Sequence, residues 1–184
     1  MNRENSRYES VPFPRFSEPE TVATRDEFLH AMGRAVTGVQ VVTTSGLSGR
    51  FAVTISAMSS VSADPPLLLV CINQKSPVCQ AILANQIFCI NVLSADQTHV
   101  SDTFSGRIRD GRPYDFGCAE WTMPSPGCPR LTGAVASFDC LLWEAHEAGS
   151  HVVFIGRTLS ASDSDRKPLL YTGSSYGQPD LFVV

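Results

Sequence analysis

The chain has 184 residues, of which 43% are apolar and 17% charged, with a formal net charge of -4. Mean hydropathy is close to zero. This is a globular balance with enough length for one domain and its core, and it excludes a disordered chain. No apolar run approaches the roughly 18–20 residues that span a bilayer, so no membrane role is expected. Lys and Arg number 14 and form no stripe, which argues against nucleic acid as a partner.

Residues 1–23 carry Pro12, Pro14, Pro19 and several charges, and read as an arm ahead of a domain over residues 24–184. Met1 to Ser10 lack the apolar stretch of a secretory signal, so a cytoplasmic protein is expected. Thr24 and Glu27 have capping-box spacing, and Phe28, Leu29, Met32, Ala35 and Val36 follow at helical intervals, ending at Gly38. Val39 to Thr44 and Phe51 to Ala57 are expected strands joined by a turn at Ser45 to Gly49. Asp64-Pro65-Pro66 is a turn before Leu67 to Ile72, whose unbroken apolar run suits a central strand. Ser76-Pro77 opens a second helix, ending near Asn85. Ile87 to Leu93 is a strand, and Ser94 with Gln97 caps a third helix that reaches about Phe104.

Residues 105–130 form a long Gly-, Pro- and Arg-rich excursion over the surface. Two long strands, about Ala134 to Ala145 and His151 to Ser162, close the domain, with a short strand at Pro168 to Tyr171. Few helices and many sequential strands give a mainly β class, an antiparallel Greek-key barrel with flanking helices. The six cysteines lack C-x-x-C spacing, and Cys71, Cys89 and Cys140 lie in apolar runs. They are expected to be buried thiols rather than ligands of a metal.

There is no G-x-G-x-x-G, P-loop or G-x-S-x-G. Three polar clusters remain. Thr54 to Ser62 brings five hydroxyls to a strand, and its small side chains let a flat ring approach the backbone. Taken alone it reads as an exposed strand. Cys71 to Pro77 runs a strand into a helix start, a natural phosphate site and equally a simple Ser cap. Phe104-Ser105-Gly106-Arg107 offers an aromatic beside a glycine, or a Gly-capped helix end. His151 stands at a strand start. Asp139, among apolar neighbours, is expected to satisfy barrel backbone groups.

In order and spacing these clusters, together with Ala31 to Val39, Asp64-Pro65-Pro66, Asn91-Val92-Leu93, Gly149-Ser150-His151, Phe154-Ile155-Gly156 and Pro168 to Tyr171, resemble the short-chain flavin reductases. Those are the reductase components of two-component aromatic monooxygenases. The resemblance implies an FMN-binding split barrel, a homodimer, FAD or FMN near the subunit interface, and NADH or NADPH as hydride donor, with FAD and NADH favoured. It implies a separate monooxygenase as the receiver of reduced flavin. By the same carry-over Thr54, Ile55, Ser56 and Ala57 line the isoalloxazine, and Ser59, Ser60 and Val61 continue along it. Asn73, Lys75 and Ser76 approach the ribityl and phosphate part, and Phe104, Ser105 and Gly106 help close the site. His151 contacts the nicotinamide and is the residue expected to matter most for hydride transfer. Tyr176 falls near a family aromatic that often follows a basic residue, here Ser175. Hydride transfer needs position more than acid–base help, so no acid or base is named. Two other readings are a pyridoxamine-phosphate-type oxidase of the same barrel, and a non-enzymatic flavin- or haem-binding module.

Overall fold

The computed structural model describes residues 22–107, 111–124, 127–180 and 182. The chain divides into two units, Met1–Met32 and Gly33–Val184. Residues 1–21 of the expected arm lie outside the described residues. In the first unit the capping box forms: Thr24 N–H donates to Glu27 Oε2 at 2.8 Å and Glu27 N–H donates to Thr24 Oγ1 at 3.3 Å. These bonds hold the Glu27 carboxyl below the usual range. They open helix α1, Arg25–Arg34.

Helix α1 stops at Arg34 rather than at Gly38. Thr37 and Gly38 instead form a short strand, β1, paired with Tyr171 and Leu170. The β-branched pair Val36-Thr37 favours that extended exit. Strands β2 (Gln40–Gly46) and β3 (Gly49–Ile55) then make a hairpin with a two-residue turn. Gly49 sits at φ 101°, a conformation that favours glycine. Strand β3 ends two residues earlier than expected, because Ser56 and Ala57 turn the chain into β4, Met58–Ala63.

Strand β5, Pro66–Asn73, lies between β4 and a later strand, and so near one end of the sheet. Its apolar run conceals an alternation: Leu68, Val70 and Ile72 are buried, and Leu67, Leu69 and Cys71 only half-buried. That is the mark of an antiparallel sheet with one face on the core. Helix α2, Pro77–Asn85, starts as expected, with Ser76 Oγ accepting from Val78 N–H. After β6 (Ile87–Val92), helix α3 covers Thr98–Ser105. Its capping box is half made: Ser94 N–H donates to Gln97 Oε1 at 3.1 Å, while Ser94 Oγ turns away to Asp96 and the Gly133 carbonyl.

The excursion after α3 folds back on the molecule. A 3-10 turn at Phe116–Cys118 leads to the small ladder of β7 (Trp121–Thr122) and β8 (Arg130–Leu131). The rings of Phe104, Phe116 and Trp121 meet edge to face with centroids 5.1–5.7 Å apart. Strands β9 (Ala136–Ala148) and β10 (His151–Asp163) form the long hairpin, and β11 (Leu170–Thr172) pairs with β12 (Ser175–Gly177), a strand the sequence pattern did not suggest.

The main sheet has seven antiparallel strands in the order β3-β2-β6-β9-β10-β5-β4. Alternation along β2 divides the core: Val42 faces a cluster with Ile72, Phe88 and Phe154, and Val41 faces a second with Leu93, Phe104 and Leu169. The mainly β barrel with flanking helices is therefore the fold expected. Asp139 behaves differently from expectation. Its Oδ2 pairs with the Arg130 guanidinium and accepts from Ser160 Oγ at 2.7 Å, so its partners are side chains rather than barrel backbone, and the buried Oδ1 has none.

Candidate active site

A cavity of about 300 Å³, at the small end of ligand pockets, opens beside the ends of β3 and β5. The break at Ser56 and Ala57 builds one wall, because leaving the ladder there turns small side chains toward the opening. Asn73 ends β5 and His151 begins β10, and the two are register partners. A second wall comes from α3 and the β11–β12 hairpin, through Ser101, Ser105, Arg107, Tyr171 and Tyr176. Val39, Val53 and Ile72 supply apolar surface between them.

The walls are tied together. Thr54 Oγ1 donates to the Ser101 carbonyl at 2.8 Å, fastening β3 to α3. Tyr176 Oη bonds Ser101 Oγ at 2.9 Å and Asp102 Oδ1 at 2.7 Å, fastening the hairpin to the same helix. Burial, with the Asp102 carboxylate, pushes the Tyr176 phenol up, so it stays protonated and donates. Asn73 Oδ1 accepts from Lys75 N–H at 2.9 Å and shapes the turn into α2. His151 Nδ1 lies 2.9 Å from Ser150 Oγ.

Of the residues the sequence singled out, Thr54, Ile55, Ser56, Ala57, Asn73, Ser105, His151 and Tyr176 line this one cavity. Others do not. Ser59, Ser60 and Val61 are exposed along β4, beyond the turn. Ser76 spends its hydroxyl on the α2 cap, and Lys75 lies exposed in the turn before it. Phe104 is fully buried in the second core, so it cannot close a site from outside. Gly106 is the left-handed C-cap of α3, at φ 73°. The cavity adds Cys71, Ser101, Arg107 and Tyr171, which sequence reading did not assign to it.

Cys71 gives a direct test. Burial pushes the thiols of Cys128 and Cys140 up to about 11 and about 12, and that of Cys89 further still, so all three stay as inert thiols. Cys71 and Cys118 are the two half-buried cysteines. A disulfide reagent at pH 8 should therefore titrate at most those two in the native chain, and saturating FMN should protect Cys71. Unchanged Cys71 labelling with flavin bound would separate the flavin from this cavity.

The donor set fits a flavin. It presents apolar residues for a ring, hydroxyls and an amide for a polar edge and polyol, and one guanidinium for an anion.

A family model described as "Flavin reductase like domain" matches residues 32–180. RutF 2 of Methylorubrum extorquens, named an FMN reductase (NADH), is 36% identical over 161 residues, spanning 87% of this chain and 92% of that one. BorF, the flavin reductase component of a bacterial two-component tryptophan halogenase, is 36% identical with a TM-score of 0.75 over 85% of this chain and 99% of its own. The NADH:FAD oxidoreductase SgcE6 of Streptomyces globisporus, solved with NAD and FAD fragments, is 28% identical with a TM-score of 0.77 over 85% of this chain and 93% of its own. A barrel of this order, with its cavity at the β3–β4 break, and matches that span most of each chain make this protein a member of the flavin reductase like domain family.

Proposed function

We propose that this chain is an NADH-dependent flavin reductase that binds FMN or FAD in the cavity at the β3–β4 break and passes reduced flavin to a separate monooxygenase. The observation that carries it is the convergence of Thr54 to Ala57, Asn73 and His151 on one opening. The bound cofactors supply the hydride chemistry, and the protein supplies position. The Thr54–Ala57 turn and the Val39, Val53 and Ile72 side chains hold the ring. Asn73 takes the polyol side, and His151 orients the nicotinamide. Tyr176, locked to α3, keeps the opposite wall in place. The names of RutF 2 and SgcE6 support the pairing of flavin with NADH, and that of BorF supports a reductase that works with a second component.

The test is an assay of the purified protein with FMN and FAD offered separately, following NADH and NADPH oxidation. Flavin-dependent NADH consumption is the expected result. Oxygen uptake with a pyridoxamine phosphate and no NADH would favour an oxidase, and flavin binding without turnover a binding module. The cytoplasm fits six unpaired cysteines and an NADH supply. The family match over residues 32–180 supports a working domain over residues 24–184, with the arm at 1–23 outside it.

The reading includes a homodimer. Leu141, Trp143 and Leu159 expose 42–52% of their surface on the β9–β10 ribbon, where Arg157 lies over the Trp143 ring. Apolar surface gathered on one ribbon marks an association face. Wild-type protein should run as a dimer in light scattering, and Trp143→Glu with Leu159→Glu as a monomer. A double variant that stays dimeric would place the interface elsewhere.

A further inference from the structure

Helix α1 presents its large apolar side chains to solvent. Phe28, Leu29 and Met32 lie on one face of its ten residues and expose 47–58% of their surface, and no residue of the helix is buried. A helix shorter than about 12–15 residues is marginal in water by itself and is stabilised mainly by packing its apolar face. The Thr24–Glu27 box secures only the first turn. The last turn is tied down as well, because the Gly33 carbonyl accepts from Gly173 N–H at 2.8 Å, at the turn between β11 and β12. The apolar face between those two ends stays bare.

The β9–β10 ribbon carries a second bare surface, made by Leu141, Trp143 and Leu159. Half-exposed side chains of this size each offer roughly 90 Å² for burial, so either surface paired with its own copy would bury about 500 Å², short of the roughly 1,000 Å² of a specific interface. Helix α1 of one chain on the ribbon of another, made twice by a two-fold axis, buries about 1,100 Å² and passes that mark. Self-pairing of both surfaces at once would need both to straddle the axis, whereas the reciprocal contact lies off it and carries no such demand. Permanent subunit contacts are the more apolar ones, so a face of bare Phe, Leu and Met fits a subunit rather than a passing encounter.

We propose that α1 of each chain docks its Phe28, Leu29 and Met32 face on the β9–β10 ribbon of a second copy, the two contacts being related by a two-fold axis. The proposal rests on the chain being a homodimer, and it names the surface that covers the ribbon.

The experiment uses two full-length variants, Leu29→Lys with Met32→Lys on the helix and Trp143→Glu with Leu159→Glu on the ribbon. All four positions are exposed in the single chain, so both variants should keep the wild-type circular dichroism spectrum. Light scattering should show wild type at twice the 19.9 kDa of one chain and each variant alone at that single mass. In an equal mixture one contact sets the new lysines against the new glutamates, and the other is unchanged. The mixture should therefore return to the dimer mass, as a one-to-one pair in native mass spectrometry. If α1 paired with α1 and ribbon with ribbon, every contact in the mixture would keep one charged side, and the mixture would stay monomeric. That result, or either variant dimeric on its own, would overturn the proposal while leaving the wild-type dimer in place. Wild type that runs as a monomer would remove the homodimer and this proposal together.

Discussion

His151→Ala should raise the KM for NADH about tenfold or more and leave the Kd for FMN within about twofold, the signature of a lost contact to one ligand only. His151 is the first residue of β10 and lines the cavity beside its register partner Asn73 on β5. Ser150 Oγ, 2.9 Å from Nδ1, fixes the ring and leaves Nε2 for a ligand. Position drives this reaction, so a lost orienting contact should appear in NADH kinetics rather than as a pH-dependent rate. His151→Asn, which keeps a polar group in place, should recover part of the loss. Unchanged steady-state NADH kinetics in the alanine variant would remove the role. Equal losses for NADH and FMN would assign His151 to the shared architecture instead.

What could be read in advance divides along physical lines. Local signals held wherever the backbone itself makes the feature. The Thr24–Glu27 box, the Ser76 cap and the Gly49 turn are set by residues within a few positions of one another. Thr54 to Ala57 reads alone as an exposed strand, and only its order and spacing with the other clusters pointed to the cavity that it lines. Phe104 misled because an aromatic beside a glycine looks the same whether its ring faces out or, as here, packs on Phe116 and Trp121. Cys71 was hidden by the apolar run around it, in which only the folded sheet reveals the alternation. Arg107 and Tyr171 lie 64 positions apart, and nothing in their local sequence says that they share a cavity wall. Contacts of that kind come from the closing of the barrel, which has no short-range signature.

Gly156→Ala should cost about 3 kcal/mol and lower Tm by roughly 6–12 °C, the upper range for overpacking a core in a domain of this size. Gly156 lies in β10 beside the barrel core, next to the irregularity where the β9 pairing shifts. A Cβ there would stand 2.5 Å from Phe88 Cζ and 2.8 Å from Cys140 Cβ. Neither neighbour yields cheaply. Phe88 is 1% exposed and enclosed by the main core, and Cys140 Cβ is anchored directly to the backbone of β9. The strain must then move β10 itself, and β10 carries His151 at its start. A displaced strand would weaken NADH use as well as stability, so the two losses should travel together. Phe88→Leu in the same chain removes the far end of the ring and should return part of the Tm. It should not return all of it, because the Cys140 contact remains. A Gly156→Ala variant that melts within about 1 °C of wild type would mean that the Phe88 ring has room to move, and the close approach would no longer explain why glycine stands at that position.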